Sequence, residues 1–202
     1  NRNTGSDTTS TDKGIGAARS WVLSHFERNG IAQGGRLVTG YLQFDQNVCA
    51  MGRHKNVVAV LPGQDISDPS CVIIEAHLDS RCAENCDIDC LAEGMEDNGS
   101  GVALVLELAR IMSRYVFDHT IVFMTVTGEE QGLVGSNAFA VYAKTEQISI
   151  KTVLNNDIVG GIICGETSSP PSCPGFNHID STQVRLFSFG GFNSPHKSLC
   201  RF

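Results

Sequence analysis

No run in this 202-residue chain approaches the roughly 18 consecutive uncharged apolar residues that a membrane-spanning helix needs, so no membrane partner is expected. Basic clusters are also missing. The 15 Lys and Arg are outnumbered by 22 Asp and Glu, and a net charge of −7 argues against a nucleic-acid partner. The 21 glycines follow no three-residue period, which excludes a collagen-like chain. There is no internal repeat. No Cys-x-x-Cys pair occurs, so a structural zinc knot of that spacing is not expected.

What is present is enough for a core: 41% of residues are hydrophobic, in a length that suits one domain. Eight cysteines stand at 49, 71, 82, 86, 90, 164, 173 and 200. An even and high count is the usage of secreted or extracellular (including periplasmic) proteins, and Cys82, Cys86 and Cys90 mark a disulfide-bearing surface loop. Asn98-Gly99-Ser100 is a glycosylation sequon. It lies among the chemically interesting residues below, where a glycan is not expected.

Residues 1–13 are polar and read as a loose tail, leaving 14–202 as a single domain. Ile15, Ala18, Trp21, Val22 and Phe26 predict a helix over 15–29, stopped by Asn29-Gly30. Strands are expected at 36–46, 56–61, 71–76, 120–126, around 153–154 and at 181–189. Helices are expected from 99 and over 132–143, with long loops at 80–96 and 165–180. The alternation of strand and helix from 71 onward predicts an α/β fold with a mixed, mostly parallel central sheet flanked by helices. The early strands, close together, are expected to pair antiparallel at one side.

Acidic and histidine groups follow these apolar runs in a repeated grammar. His77-Leu78-Asp79 follows 71–76, and Glu96-Asp97-Asn98 precedes a helix. Glu129-Glu130 follows 120–126, and Asn156-Asp157 follows the strand around 153. Taken singly, each has a bland reading: a hydrogen-bonded His-Asp pair, a helix-start charge or a turn. Taken together they would meet beyond the carboxyl ends of parallel strands, where α/β sheets gather ligands. His77, Asp97, Glu130 and Asp157 could then offer one nitrogen and several carboxylate oxygens to metal, with Asp97 able to bridge two ions. Glu129 would be free to act as a base, and Asp79 could fix the His77 tautomer. Zinc, cobalt and manganese all accept these donors.

The segments His77-Leu-Asp-Ser80, Glu96-Asp-Asn-Gly-Ser-Gly101, Gly128-Glu-Glu-Gln-Gly-Leu-Val-Gly-Ser136 and Asn156-Asp157 together resemble the di-zinc aminopeptidases of peptidase family M28. The cysteine-containing loop after Ser80 resembles the secreted bacterial branch. The resemblance implies a three-layer α/β sandwich of the zinc-peptidase type. It implies two zinc ions: one held by His77 and Asp157, one by Glu130, with Asp97 bridging. Glu129 would be the general base and acid, Asp79 would orient His77, and the substrates would be peptides with a free N-terminus. The family's further histidine ligand lies well downstream, but this sequence ends 45 residues after Asp157. His178 and His196 are the remaining candidates, and the resemblance implies a domain cut short. Other enzymes of the same scaffold (a zinc carboxypeptidase or a glutaminyl cyclase) and a catalytically silent domain remain the alternatives.

Overall fold

A computed structural model describes residues 1–160. Helix α1 spans Gly14–Ala32 and buries Ile15, Val22 and Phe26 along one stripe. It runs past Asn29-Gly30. Gly30 lies inside it because the helix packs closely on Leu37, whose Cβ would stand 3.2 Å from a Cβ at position 30. The chain turns only beyond Ala32, where Gly34 and Gly35 take positive φ and the Gly35 N–H bonds the Gly30 carbonyl at 2.7 Å.

Among the described residues five strands follow: β1 (Val38–Phe44), β2 (His54–Leu61), β3 (Cys71–His77), β4 (Thr120–Val126) and β5 (Ile150–Asn155). They form one sheet in the order β1-β2-β4-β3-β5. β1 pairs antiparallel with β2, and β2 with β4; β3 is parallel to both β4 and β5. Helix α2 (Gly101–Met112) crosses from β3 to β4, and α3 (Val134–Thr145) from β4 to β5.

Period-two alternation in β3 sends Ile74 and Ala76 to one face and Cys71 and Ile73 to the other. The first face packs on α1 and α2 through Val22, Phe26, Val105 and Ala109, and the second on α3 through Phe139 and Ala143. The sheet is therefore covered on both sides, as the expected sandwich requires. Because β3, β4 and β5 run the same way, His77, Val126 and Asn155 end on one rim. The antiparallel β2 begins there, with Val57 opposite Thr125. Among the described residues no helix is long and apolar enough to cross a membrane.

The N-terminal segment departs from expectation. Residues 1–13 are not a loose tail: Asn3 and Thr4 are fully buried, and Ser6 and Thr8 are nearly so. The segment is tied in through main-chain groups: Ser80 N–H donates to the Arg2 carbonyl, Ile15 N–H to the Ser6 carbonyl, and Asn3 Nδ2 to the Asn85 carbonyl, while the buried Thr4 hydroxyl has no hydrogen-bond partner among the described residues. Composition marks the segment as polar but does not show that it braces loops far away in sequence.

Loop 80–96 is fastened by two disulfides, Cys49–Cys86 and Cys82–Cys90, while Cys71 is a free, buried thiol. Cys164, Cys173, Cys200, His178, His196, the 165–180 loop and the 181–189 strand lie outside the described residues.

Candidate metal centre

The rim where β3, β4 and β5 end is tied together by side chains before any ligand is considered. Asp79, two residues beyond β3, is fully buried. One carboxylate oxygen accepts the N–H groups of Gly128 (2.8 Å) and Glu129 (3.1 Å), and the other accepts Glu130 N–H (3.1 Å). The turn after β4 is thus wrapped around a carboxylate of β3. That turn needs Gly128, at φ +81°, to face its amides inward.

Asp79 also meets His77, chiefly through its main chain. His77 Nδ1 lies 3.2 Å from the Asp79 carbonyl and 3.8 Å from its carboxylate. With Nδ1–H donating to that carbonyl, Nε2 is left facing the rim.

Asp97 and Asp157 reach the same place from other elements. Asp97 lies in the irregular turn Met95–Ser100, before α2. The neighbouring Asn98 is buried and couples this turn to the loop after β5. Its Nδ2 donates to the Asn156 carbonyl at 2.8 Å, and its Oδ1 accepts Gly101 N–H at 3.0 Å and Ile158 N–H at 3.3 Å. The approach is so close that a Cβ at Gly101 would stand 2.3 Å from the Asn156 carbonyl oxygen. Asn98 is buried and bonded through both its amide nitrogen and its amide oxygen, so a glycan at this sequon is incompatible with this packing.

The result is a tight cluster. His77 Nε2 is 3.0 Å from Asp97, 3.4 Å from Asp157 and 4.0 Å from Glu129. One ligand atom each from His77, Asp97 and Asp157 lies within 4.8 Å of the others. Glu130 stands apart from that trio, its carboxylate bonded to Arg81 Nε at 2.5 Å.

Electrostatics follow the geometry. Burial disfavours a charged imidazole at His77, but bonds to Asp157 and Asp97 outweigh it and raise the pKa to about 10. The bond to His77 lowers Asp97. Burial raises Glu129 above the ordinary carboxylate range, reinforced by Asp79, Asp157 and Glu130. Two carboxylates thus converge on one imidazole, whose single positive charge offsets only one of them. A divalent ion held by the neutral imidazole and both carboxylates would balance the two charges, so the residues present fit zinc.

The fold places the six residues singled out by the motifs, His77, Asp79, Asp97, Glu129, Glu130 and Asp157, on this rim, with Glu130 turned to Arg81. Sequence reasoning missed Arg2, whose guanidinium donates to the carbonyls of Leu78 (2.9 Å), Glu93 (2.8 Å) and Gly94 (2.6 Å). Arg2 thereby clamps the end of β3 to the segment leading into Asp97. Asn56 was missed as well. Its side chain accepts Thr127 N–H at 3.1 Å and donates to the Gly135 carbonyl at 2.8 Å, holding the start of α3 on β4. Neither residue carries a local motif; both act across more than 70 positions. The signal for Asn98 was on the page, inside its motif, but only as a turn former.

Comparison with known proteins agrees with this architecture. The profile of peptidase family M28 matches residues 56–162. A probable zinc metalloprotease of Pyricularia oryzae is 36% identical over the whole of this chain, which covers 42% of that protein. Another, from Pyrenophora teres f. teres, is 33% identical, with 46% of its length covered. The chain thus spans less than half the length of these curated relatives. Among solved structures, the LapA aminopeptidase of Legionella pneumophila superposes with a TM-score of 0.57 at 29% identity, over 71% of this chain and 36% of that one. A Zn-dependent exopeptidase of Parabacteroides distasonis, at 18% identity and a TM-score of 0.58 over 73% of this chain and 54% of its own, shares the fold. With the family profile covering more than half of the sequence, the chain belongs to peptidase family M28.

Proposed function

We propose that this chain carries the catalytic rim of a two-zinc aminopeptidase that removes residues from peptides with a free N-terminus. The observation that carries the reading is the convergence of Asp97 and Asp157 on His77 Nε2, with Glu129 4.0 Å away. In this reading His77 and Asp157 would hold one ion and Glu130, released from Arg81, the other, with Asp97 shared between them. When bound, the zinc pair supplies Lewis-acid polarisation of a water and of the scissile carbonyl.

The chain's own groups do the rest. The Glu129 carboxylate accepts the water proton and hands it to the departing amine nitrogen. The buried Asp79 carboxylate holds the Glu129 main chain in place. A secreted location fits the two disulfides.

The test compares a leucine anilide bearing a free amine with its acetylated form. Only the free form should be cleaved. Glu129→Gln should keep its zinc and lose turnover by about 10²–10⁴-fold. Equal cleavage of the acetylated substrate would contradict exopeptidase action, and near-normal turnover by Glu129→Gln would remove it as the base.

A further inference from the structure

A second cluster of titratable groups lies at the opposite end of the sheet from the metal rim, where β3, β4 and β5 begin. Cys71 at the start of β3 is in register with Thr120 of β4 and Ile150 of β5. That register gathers His119, just before β4, Lys151, second in β5, and Asp68, three residues before β3. Lys151 Nζ donates to His119 Nε2 at 2.7 Å. Asp68 Oδ2 stands 3.7 Å from His119 Nδ1 and 3.8 Å from Lys151 Nζ.

The contacts fix the roles. A lysine ammonium has donors only, so Nε2 is the acceptor and the ring proton sits on Nδ1. Nδ1 is buried without a hydrogen-bond partner and has the Asp68 carboxylate as its neighbour. Asp68 is itself held by Ser70 N–H, which donates to Oδ1 at 3.0 Å. An amine, an imidazole base within hydrogen-bond reach and a carboxylate behind the base make up the arrangement that activates a nucleophile. The Lys151 side chain is 52% exposed and that of His119 26%, so a reagent in solution reaches the amine while the base stays sheltered. Lys13 faces Asp7, and Lys55 lies over the Tyr41 ring; among the described residues neither has an imidazole partner.

We propose that Lys151 is a modification site for reducing sugars, its amine condensing with the open-chain aldehyde while His119 moves the protons and Asp68 stabilises the imidazolium. The ammonium first passes one proton to Nε2. The free amine attacks the aldehyde carbon, a C–N bond forms, and a second amine proton moves to the oxygen. The imidazolium returns its proton to that hydroxyl, which leaves as water and gives a protonated imine. His119 then takes the proton from the sugar carbon beside the imine. The resulting enaminol gains a proton at the former aldehyde carbon, and its hydroxyl loses one to water, leaving a ketoamine. One amine and one aldose give one ketoamine and one water, with no oxidant or reductant. An aldose suits this cluster better than an acyl donor because the second proton transfer, at carbon, also needs a base beside the nitrogen. The small reagent needs no enclosed pocket.

The test incubates the full chain with ribose in phosphate-free buffer, because phosphate is itself a base for the rearrangement. Ketoamines are then mapped to individual lysines by mass spectrometry. Lys151 should be modified at least about tenfold faster than the exposed Lys144, which serves as internal standard. His119→Gln, which can still accept a hydrogen bond but is no base, should bring Lys151 down to the rate of Lys144. Asp68→Asn keeps an oxygen for Ser70 N–H and should slow Lys151 severalfold. An unchanged Lys144 rate in both variants shows that the fold is intact. Equal rates at Lys151 and Lys144 in the parent would overturn the proposal, as would a parent-like rate at Lys151 in either variant.

Discussion

Replacing Asp79 with Asn separates two jobs that one residue can do. If its carboxylate acts chiefly on His77, the change should alter metal binding and little else. The geometry says otherwise, because the carboxylate accepts three main-chain N–H groups from the turn that carries Glu129 and Glu130. In the variant one amide oxygen can still take the Gly128 and Glu129 bonds. The new NH₂ group then faces Glu130 N–H, donor against donor. Hydrogen bonds to a charged group contribute about 1.5–3 kcal/mol each, and a buried donor left without a partner costs a similar amount. The loss of one such bond and weakening of two others should cost about 2–3 kcal/mol. For a domain of this length that is a fall of roughly 5–10 °C in melting temperature. The assay is thermal unfolding of metal-free protein, in which no ligand can mask the effect. A melting temperature within about 1 °C of the parent would refute the reasoning, since three lost or weakened charge-assisted bonds cannot be that cheap.

Other consequences follow from the same rim. Arg2→Met removes three donors to the carbonyls of Leu78, Glu93 and Gly94, and should lower zinc affinity about 10–100-fold by freeing the loops that orient His77 and Asp97; unchanged affinity in a zinc titration would return residues 1–13 to the status of a tail. His77 is raised to about 10 in the folded metal-free chain, above its usual value of 6.5 when unfolded. Its contribution to stability is therefore complete below about pH 6.5 and is lost as pH rises through about 10, a slope that His77→Gln should flatten in denaturant titrations. Zinc binding at neutral pH should displace that proton, and calorimetry in buffers of differing ionisation enthalpy should show release of about one proton per chain from this group. Cys49→Ser with Cys86→Ser should loosen loop 80–96 and lower the melting temperature, with a typical disulfide contribution of about 2–4 kcal/mol; an unchanged melt would show that Cys82–Cys90 suffices.

Much of this fold was legible because its signals are local. The β-branched run 120–126 is β4 to the residue, and the apolar run before His77 is β3. The site was legible for a related reason: parallel strands put their ends on one rim, so four short motifs spread over 80 positions meet without any long-range information. The errors arose where a residue's reason lies elsewhere in the chain. Gly30 reads as a helix stop, but its lack of a side chain serves packing on Leu37. The 1–13 segment reads as a tail because polar composition is the same for a solvated strand and for one whose donors are spent on distant carbonyls. The Arg81 partner of Glu130, 49 positions away, likewise had no local signal.

The most direct test is zinc per chain by elemental analysis, for the parent and for Asp97→Ala, after dialysis against buffer containing trace zinc. The account predicts two ions in the parent and loss of both in the variant, because Asp97 would touch each. A variant that keeps both ions, or a parent that binds none, would contradict it.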